Sequence, residues 1–222
     1  MARSAPRNRS DASLADKLID AAEALYAKNG ISGASFRQIT VEAGTANNYA
    51  VQYHFGDQAG LVNAILEKRM PEIERRRAAL LAKAKEAGGL DDLRVLNDVL
   101  YRPLIEYTSA DGERWFALFV LALFTSPIGM SLAVGTERHA PVSAHILDLQ
   151  SAAAPGVPPV LLRERHRMIV TMILMTVLSP HKASGNQLDE ATLDNALDMA
   201  TAALCAPVSK AVRLKTKKAK TR

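Results

Sequence analysis

The chain has 222 residues, 48% of them apolar and 23% charged, which excludes a fully disordered protein and allows one large or two small domains. The single cysteine, Cys205, excludes an internal disulfide, and no apolar run approaches the roughly 20 residues of a membrane span, so we expect a soluble cytoplasmic protein. The net charge of +5 comes from two tails: residues 1–10 carry three Arg and residues 210–222 carry seven Lys or Arg, so the part between them is at −5.

Apolar residues recur at three- and four-residue steps through most of the chain, which is the pattern of amphipathic helices. No stretch alternates like a strand, so the sequence predicts an all-α fold. Ser35 with Gln38 forms a capping box, Gly30 is placed to end a helix, and Asn47 is placed to cap one. In chain order the predicted helices cover 12–29, 35–43, 47–53, a helix from Gln58 that Pro71 kinks, 90–107, 112–125, 141–151, 159–178 and 189–205.

The first three predicted helices are short, and a tight turn at Ala43-Gly44 separates the second from the third. This arrangement indicates a helix-turn-helix whose third helix enters the DNA major groove, about 12 Å wide. Asn and Gln side chains can pair with adenine, while Tyr hydroxyls and His can donate to phosphate oxygens. The exposed face of the third helix is predicted to present Asn48, Tyr49, Gln52 and Tyr53, followed by His54.

Residues 12–66 resemble the DNA-binding domain of the TetR-type regulator family. The matching residues are Leu18-Ile-Asp-Ala-Ala22, Leu25-Tyr26, Gly30, Ser35-Phe-Arg-Gln-Ile39, Ala43-Gly44, Gln52-Tyr-His-Phe55 and Leu61. The resemblance implies that Arg37 reaches the DNA backbone, that Asn48, Tyr49 and Ala50 face bases, and that Gln52, Tyr53 and His54 hold phosphates or neighbouring bases. The predicted DNA contacts are Ser35, Arg37, Gln38, Thr45, Asn47, Asn48, Tyr49, Ala50, Gln52, Tyr53 and His54.

The sequence departs from the family pattern in two places. The interval from Ala43-Gly44 to Phe55 is one residue longer than the common spacing, so the turn is enlarged and the contact register can shift by one. Gln58 stands where the family usually has a phosphate-binding lysine. Residues 11–71 also carry a net charge of −2, so we expect a shallow salt dependence, with the arginine arm of residues 1–10 a candidate source of phosphate contacts.

The second half of the chain is predicted to form a helical ligand-binding and dimerisation domain. In the family the last two helices build a four-helix dimer interface, and the apolar run Met168–Leu178 fits that role. The predicted domains are a basic arm at 1–10, the DNA-binding domain at 11–70, the ligand-binding and dimerisation domain at 71–208, and a basic tail at 209–222 whose role is either DNA binding or solubility. Residues that could line an apolar ligand pocket are Tyr101, Tyr107, Trp115, Phe116, Phe119, Phe124, Met130, Met168 and Met172.

The function expected from these observations is a dimeric repressor that leaves a palindromic operator when a small apolar molecule binds. An enzyme is disfavoured, because the five histidines show no metal-ligand spacing and no phosphate-binding glycine loop or Gly-x-Ser-x-Gly motif is present. We therefore predict no catalytic residue, no metal and no cofactor. The alternative is a DNA-binding adaptor or architectural protein without a small-molecule effector.

Overall fold

The computed structural model describes residues 9–127, 138–178 and 189–209, and the regular secondary structure of these residues is entirely helical. This confirms the all-α prediction, and the observed helices differ from the predicted ones by a few residues at their ends. Short 3₁₀ turns lie at Ile31–Gly33 and Met175–Leu178. The helices are α1 (Arg9–Asn29), α2 (Phe36–Glu42), α3 (Ala50–Phe55), α4 (Gln58–Glu86), α5 (Leu93–Glu106), α6 (Trp115–Phe124), α7 (Pro141–Ala153), α8 (Pro159–Leu174) and α9 (Glu190–Cys205).

The predicted helix caps are confirmed around α2 but not before α3. Both bonds of the capping box between Ser35 and Gln38 are present, and Gly30 has the left-handed φ of 77° expected of a residue that ends a helix. Asn47 was predicted to cap α3, and this was wrong. Its Oδ1 accepts a hydrogen bond from the amide of Tyr49 at 3.0 Å, so Asn47 shapes the turn and the helix begins only at Ala50.

The long helix α4 runs without a break through Pro71, so the predicted kink does not split off a separate helix. Proline removes one backbone hydrogen bond, the one that would reach the carbonyl of Glu67. Both Pro71 and Glu67 are exposed, and water can therefore bind this carbonyl. The proposed boundary between residues 70 and 71 falls inside this continuous helix.

Helix α1 packs against α6 as well as against α2 and α4, so the two halves share one hydrophobic core. Tyr26 of α1 is fully buried and stacks on Phe119 of α6, with ring centroids 6.3 Å apart. Near the end of α1, the ammonium of Lys28 lies 4.6 Å from the ring centroid of Trp115. The helices α1 to α3 are thereby held directly by the second half, in addition to the connection through α4.

Ion pairs join α1 to the first half of α4. Arg69 binds Glu23 with its Nε and Nη2 at 2.9 and 2.6 Å, and Lys68 binds Asp20 at 2.8 Å. The Glu23 side chain is only 1% exposed. Burial raises the pKa of Glu23, while the hydrogen bond and charge of Arg69 oppose that rise. This buried pair fixes the position of α4 relative to α1.

The last two helices are tied to each other and to α5. Buried Arg165 of α8 donates to the carbonyls of Leu204 and Ala206, which satisfies acceptors left open at the end of α9. Arg94 and Arg102 of α5 pair with acidic residues along α9, namely Glu190, Asp194 and Asp198. These contacts hold α8 and α9 as a unit against the rest of the chain.

Candidate DNA-binding site

The third helix is held against α4 by a close approach between backbones. Ala50 and Val51 on the inner face of α3 are fully buried. The carbonyl oxygen of Phe55, the last residue of α3, would lie only 1.9 Å from a Cβ at Gly60, so glycine is the residue that fits here. Asp57 then caps α4 by accepting from the amide of Gly60 at 2.8 Å. The orientation of α3 therefore follows that of α4.

The outer face of α3 and of the turn before it is polar, aromatic and exposed. Tyr49 and Tyr53 are large side chains that face solvent, 73% and 78% exposed. Gln52 is also exposed, and the three residues lie at i, i+3 and i+4, on one side of the helix. Asn47 and Asn48 extend this face into the turn. Together these side chains form a protruding surface that carries the hydrogen-bonding groups needed to contact base edges.

One predicted base contact is wrong. Ala50 is fully buried and packs in the core, so it cannot face bases. The helix begins at Ala50, and the preceding residue Tyr49 remains exposed to solvent.

Four of the other predicted DNA contacts, namely Ser35, Gln38, Thr45 and His54, interact with neighbouring residues of the chain. Ser35 and Gln38 are exposed but bonded to each other in the capping box. Thr45 is half-buried, and its Oγ1 accepts from the amide of Asn47 at 3.2 Å. The His54 ring meets the ring of Tyr53 edge-on at 5.0 Å. Through these local contacts the four residues hold the edge of the exposed face of α3 and the turn before it.

The charge of this surface is close to neutral. Arg37 is exposed on α2 and is the only Lys or Arg between residues 35 and 57, where Glu42 and Asp57 are the acids. Gln58, at the position of the family lysine, donates from Nε2 to the carbonyl of Ile31 at 2.7 Å. Its side chain therefore stabilises the loop after α1. This position has no charged group that could bind a DNA phosphate.

Sequence reasoning missed one exposed apolar residue of this surface. Val41 of α2 is 68% exposed, directly before the turn. The helical spacing contains this signal, because the inward positions Ile39 and Ala43 leave Val41 on the opposite side. An apolar side chain here can contact the methyl group of thymine.

The predicted ligand-pocket residues that the structure describes differ in their burial and contacts. Phe116 and Phe119 are fully buried and pack against each other, with ring centroids 5.8 Å apart, and Tyr107 meets Phe116 edge-on. Tyr101 is buried and its hydroxyl lies 3.4 Å from Nδ1 of His166. Half-buried Trp115 donates to Asp111 at 2.9 Å, Phe124 and Met172 are half-buried, and Met130 lies outside the described residues.

Met168 is the pocket residue that the structure places elsewhere. Its side chain is 61% exposed on the outer face of α8, which contradicts a role in lining a pocket within the protomer. The reason is that α8 turns Ile169 and Ile173 inwards, and Met168 consequently points away from the core. Sequence reasoning also missed a polar cluster in the interior of the second half. Asn97, which is fully buried, forms hydrogen bonds with Gln150 and Thr201, each at 2.9 Å.

Exposed large apolar side chains of the described residues occur on two surfaces. One is the face of α2 and α3, with Val41, Tyr49 and Tyr53. The other, here called the α8–α9 surface, consists of Val160, Met168, Met175, Leu178 and Met199. Isolated apolar residues on a surface need no explanation, whereas clusters mark sites of interaction.

Across residues 9–127, 138–178 and 189–209, none of the helices has the length and apolar character needed to cross a bilayer.

The chain was compared with family models, solved structures and curated proteins. A family model described as the tetracycline-repressor-like C-terminal domain matches residues 98–215, which is more than half of the chain. Among solved structures, a regulator from Mesorhizobium loti assigned to the TetR family aligns with a TM-score of 0.49 at 16% identity, covering 90% of this chain and 98% of that one. No curated protein matches the sequence.

Proposed function

The chain belongs to the TetR family of DNA-binding transcriptional regulators, and on this premise we propose that it is a homodimeric cytoplasmic repressor. It binds a palindromic operator through α3 and leaves it when a small, largely apolar molecule binds the second half. The observation that carries the proposal is the grouping of exposed apolar side chains on two surfaces, one on α2 and α3 and one on α8 and α9.

The first surface supports base recognition. Tyr49, Gln52 and Tyr53 project together from α3, and none of them is needed for the core. A good pair of hydrogen bonds to a base contributes about 1–3 kcal/mol of discrimination. Because the surface carries one basic residue, Arg37, base contacts supply an unusually large share of the affinity and phosphates a small one.

The second surface supports pairing of two copies. Val160, Met168 and Met175 follow each other by eight and seven residues, so they form one stripe along α8 and the 3₁₀ turn that continues it. Met199 is exposed on the adjacent α9, where Asn195 and Ala202 lie on the same side at i−4 and i+3. Two such surfaces, related by a two-fold axis, would bury each other in a four-helix interface. Half-sites about 34–36 Å apart would then meet the two copies of α3.

A DNA-binding measurement tests the first surface. Tyr53→Ala and Gln52→Ala should each weaken binding to the operator about tenfold, measured by fluorescence anisotropy with a duplex from the upstream region. Glu86→Ala, an exposed change at the far end of α4, is the control and should bind like the parent protein. Since the side chains are exposed, the melting temperatures of all three variants should stay nearly unchanged. Equal binding of a random duplex at moderate salt would overturn the proposal.

Sedimentation equilibrium tests the second surface. Met168→Asp places a charge at the centre of the stripe and should convert the dimer into a monomer that binds a full operator poorly. Val41→Asp is the matched control, because it alters an apolar residue of similar exposure on the other surface. It should weaken DNA binding and leave the dimer intact. A dimer that survives Met168→Asp would show that α8 is not the interface.

A further inference from the structure

A groove lies along the second half of α4, beyond the part of that helix that faces the DNA-binding domain. One wall is α4 and the other is the first part of α7, with Leu90 of the connection between α4 and α5 at one end. Its volume is about 610 Å³, within the 300–1,000 Å³ range of small-molecule sites, and the groove is shallow and largely open to solvent. The residues that line it are Ala78, Leu81, Ala82, Lys85, Leu90, Pro141, Val142, His145 and Leu149.

The lining combines apolar walls with two nitrogen-bearing side chains. Seven of the nine residues are apolar, and the two others are Lys85 on α4 and His145 on α7. No carboxylate lines the groove. Within the part of the chain that the structure describes, no acidic side chain forms an ion pair with Lys85, so its ammonium is available to a ligand.

We propose that this groove binds a small amphipathic carboxylate, a molecule with an apolar body and a single acidic group. The body would lie against Leu81, Leu90 and Leu149, where burial of apolar surface favours binding. The carboxylate would accept hydrogen bonds from the Lys85 ammonium and from the His145 imidazole. A ligand of the opposite charge would face an ammonium with no acid to compensate it. As an assignment of the effector, the inference rests on the proposed function.

The groove adjoins a buried set of bonds that connects α7 to α4. Glu74 accepts from the amides of Val142 and Ser143 at 2.6 and 3.3 Å, and from the Ser143 hydroxyl at 2.7 Å. Arg77 donates to Glu74 at 3.0 Å and to the Leu100 carbonyl at 2.8 Å. Because Val142 itself lines the groove, a ligand there presses on the residues that this set of bonds holds in place.

Occupation of the groove therefore acts on α4, and α4 carries the DNA-binding domain at its other end. Lys68 and Arg69 of this same helix bind α1, and Gly60 touches the end of α3. A change in the spacing of α4 and α7 is thus transmitted to the orientation of α3 without any contact between ligand and DNA.

Isothermal titration calorimetry with sodium decanoate, kept below its micelle-forming concentration, tests the site without DNA. Decanoate should bind at least five-fold more tightly than 1-decanol, which has the same chain and no charge, and decyltrimethylammonium should bind most weakly. Lys85→Ala should weaken decanoate about five-fold and leave decanol unchanged. Lys83→Ala, an exposed lysine of the same turn that does not line the groove, should change neither.

A second variant keeps the assignment falsifiable if charge effects are small. Ala82→Trp places a large side chain in the groove from an exposed position and should abolish decanoate binding while the protein stays folded. Equal binding of decanoate and decanol, or decanoate binding that survives Ala82→Trp, would overturn the proposal, as would no binding at all. If decanoate binds as expected but the protein has no operator, the assignment of the groove as a carboxylate site is kept and the proposed regulatory function fails. If decanoate binds and leaves operator affinity unchanged, the ligand site stands and its role as effector is refuted.

Discussion

His166 makes the stability of the fold depend on pH in a window where few other groups titrate. Its ring is largely buried in α8, its Nδ1 lies 3.4 Å from the Tyr101 hydroxyl, and its Nε2 has no partner among the described residues. Burial lowers the pKa of His166 from 6.5 to about 4. The folded protein therefore keeps this imidazole neutral at a pH where the unfolded chain protonates it.

The size of the effect follows from the two pKa values. Below pH 6.5 the unfolded state binds the proton and the folded state does not, so the free energy of unfolding falls as the pH falls towards 4. Between pH 7 and pH 5 the loss at His166 amounts to about 2 kcal/mol. In a domain of this length that corresponds to a decrease of about 6 °C in melting temperature. The raised pKa of Glu23 has the opposite effect on the free energy of unfolding, because as the pH falls the folded state binds a proton at Glu23 before the unfolded state does.

Urea denaturation at pH 7 and pH 5, at fixed protein concentration, measures this difference, and a variant isolates the contribution of His166. His166→Gln should remove about 2 kcal/mol of the pH dependence, whatever its effect on stability at pH 7. His145→Gln, which changes an exposed histidine, should keep the full dependence. Identical pH dependence in the parent protein and His166→Gln would refute the conclusion that this ring is held neutral.

Three further changes test features that position the DNA-binding domain. Arg69→Met leaves the buried carboxylate of Glu23 without a partner and should lower the free energy of unfolding by about 3 kcal/mol at pH 7, less at pH 5, with Glu23→Gln restoring most of it in the double variant. Gly44→Ala should cost about 1 kcal/mol in urea denaturation because its φ is 71°, whereas Gly156→Ala, with open space and no positive φ, should cost little. Ser35→Ala removes the cap of α2 and should cost about 1 kcal/mol in the same measurement.

Local patterns in the sequence predicted the helices well because the signals that start and end them are local. The capping box at Ser35, the left-handed Gly30 and the break at Gly56-Asp57 each depend on a few neighbouring residues, and all of them are present. The turn before α3 is where this reasoning failed. Asn47 has the chemistry of a helix cap, but its carboxamide oxygen accepts from the amide of Tyr49, and the helix begins only at Ala50, which is buried.

Contacts between distant parts of the chain were out of reach of such patterns. Nothing near Glu23 shows that Arg69, 46 residues later, will neutralise it in the core. The aromatic residues of α6 were correctly identified as apolar, yet their use against α1 depends on the arrangement of the helices. Gln58 was noticed as the loss of a charge, and only the structure shows its bond to the Ile31 carbonyl.

The packing of Tyr26 on Phe119 has a consequence for exchanging parts between relatives. A chimaera that joins the first 70 residues of this chain to another regulator's second half would bring α1 against a foreign α6, and the fully buried Tyr26 would lose its fitted neighbour. Such hybrids should fold only when the residues of this chain that pack against α1 are transferred together with it. DNA specificity in this protein is therefore re-engineered more safely by changing side chains on α3 than by transplanting a whole module.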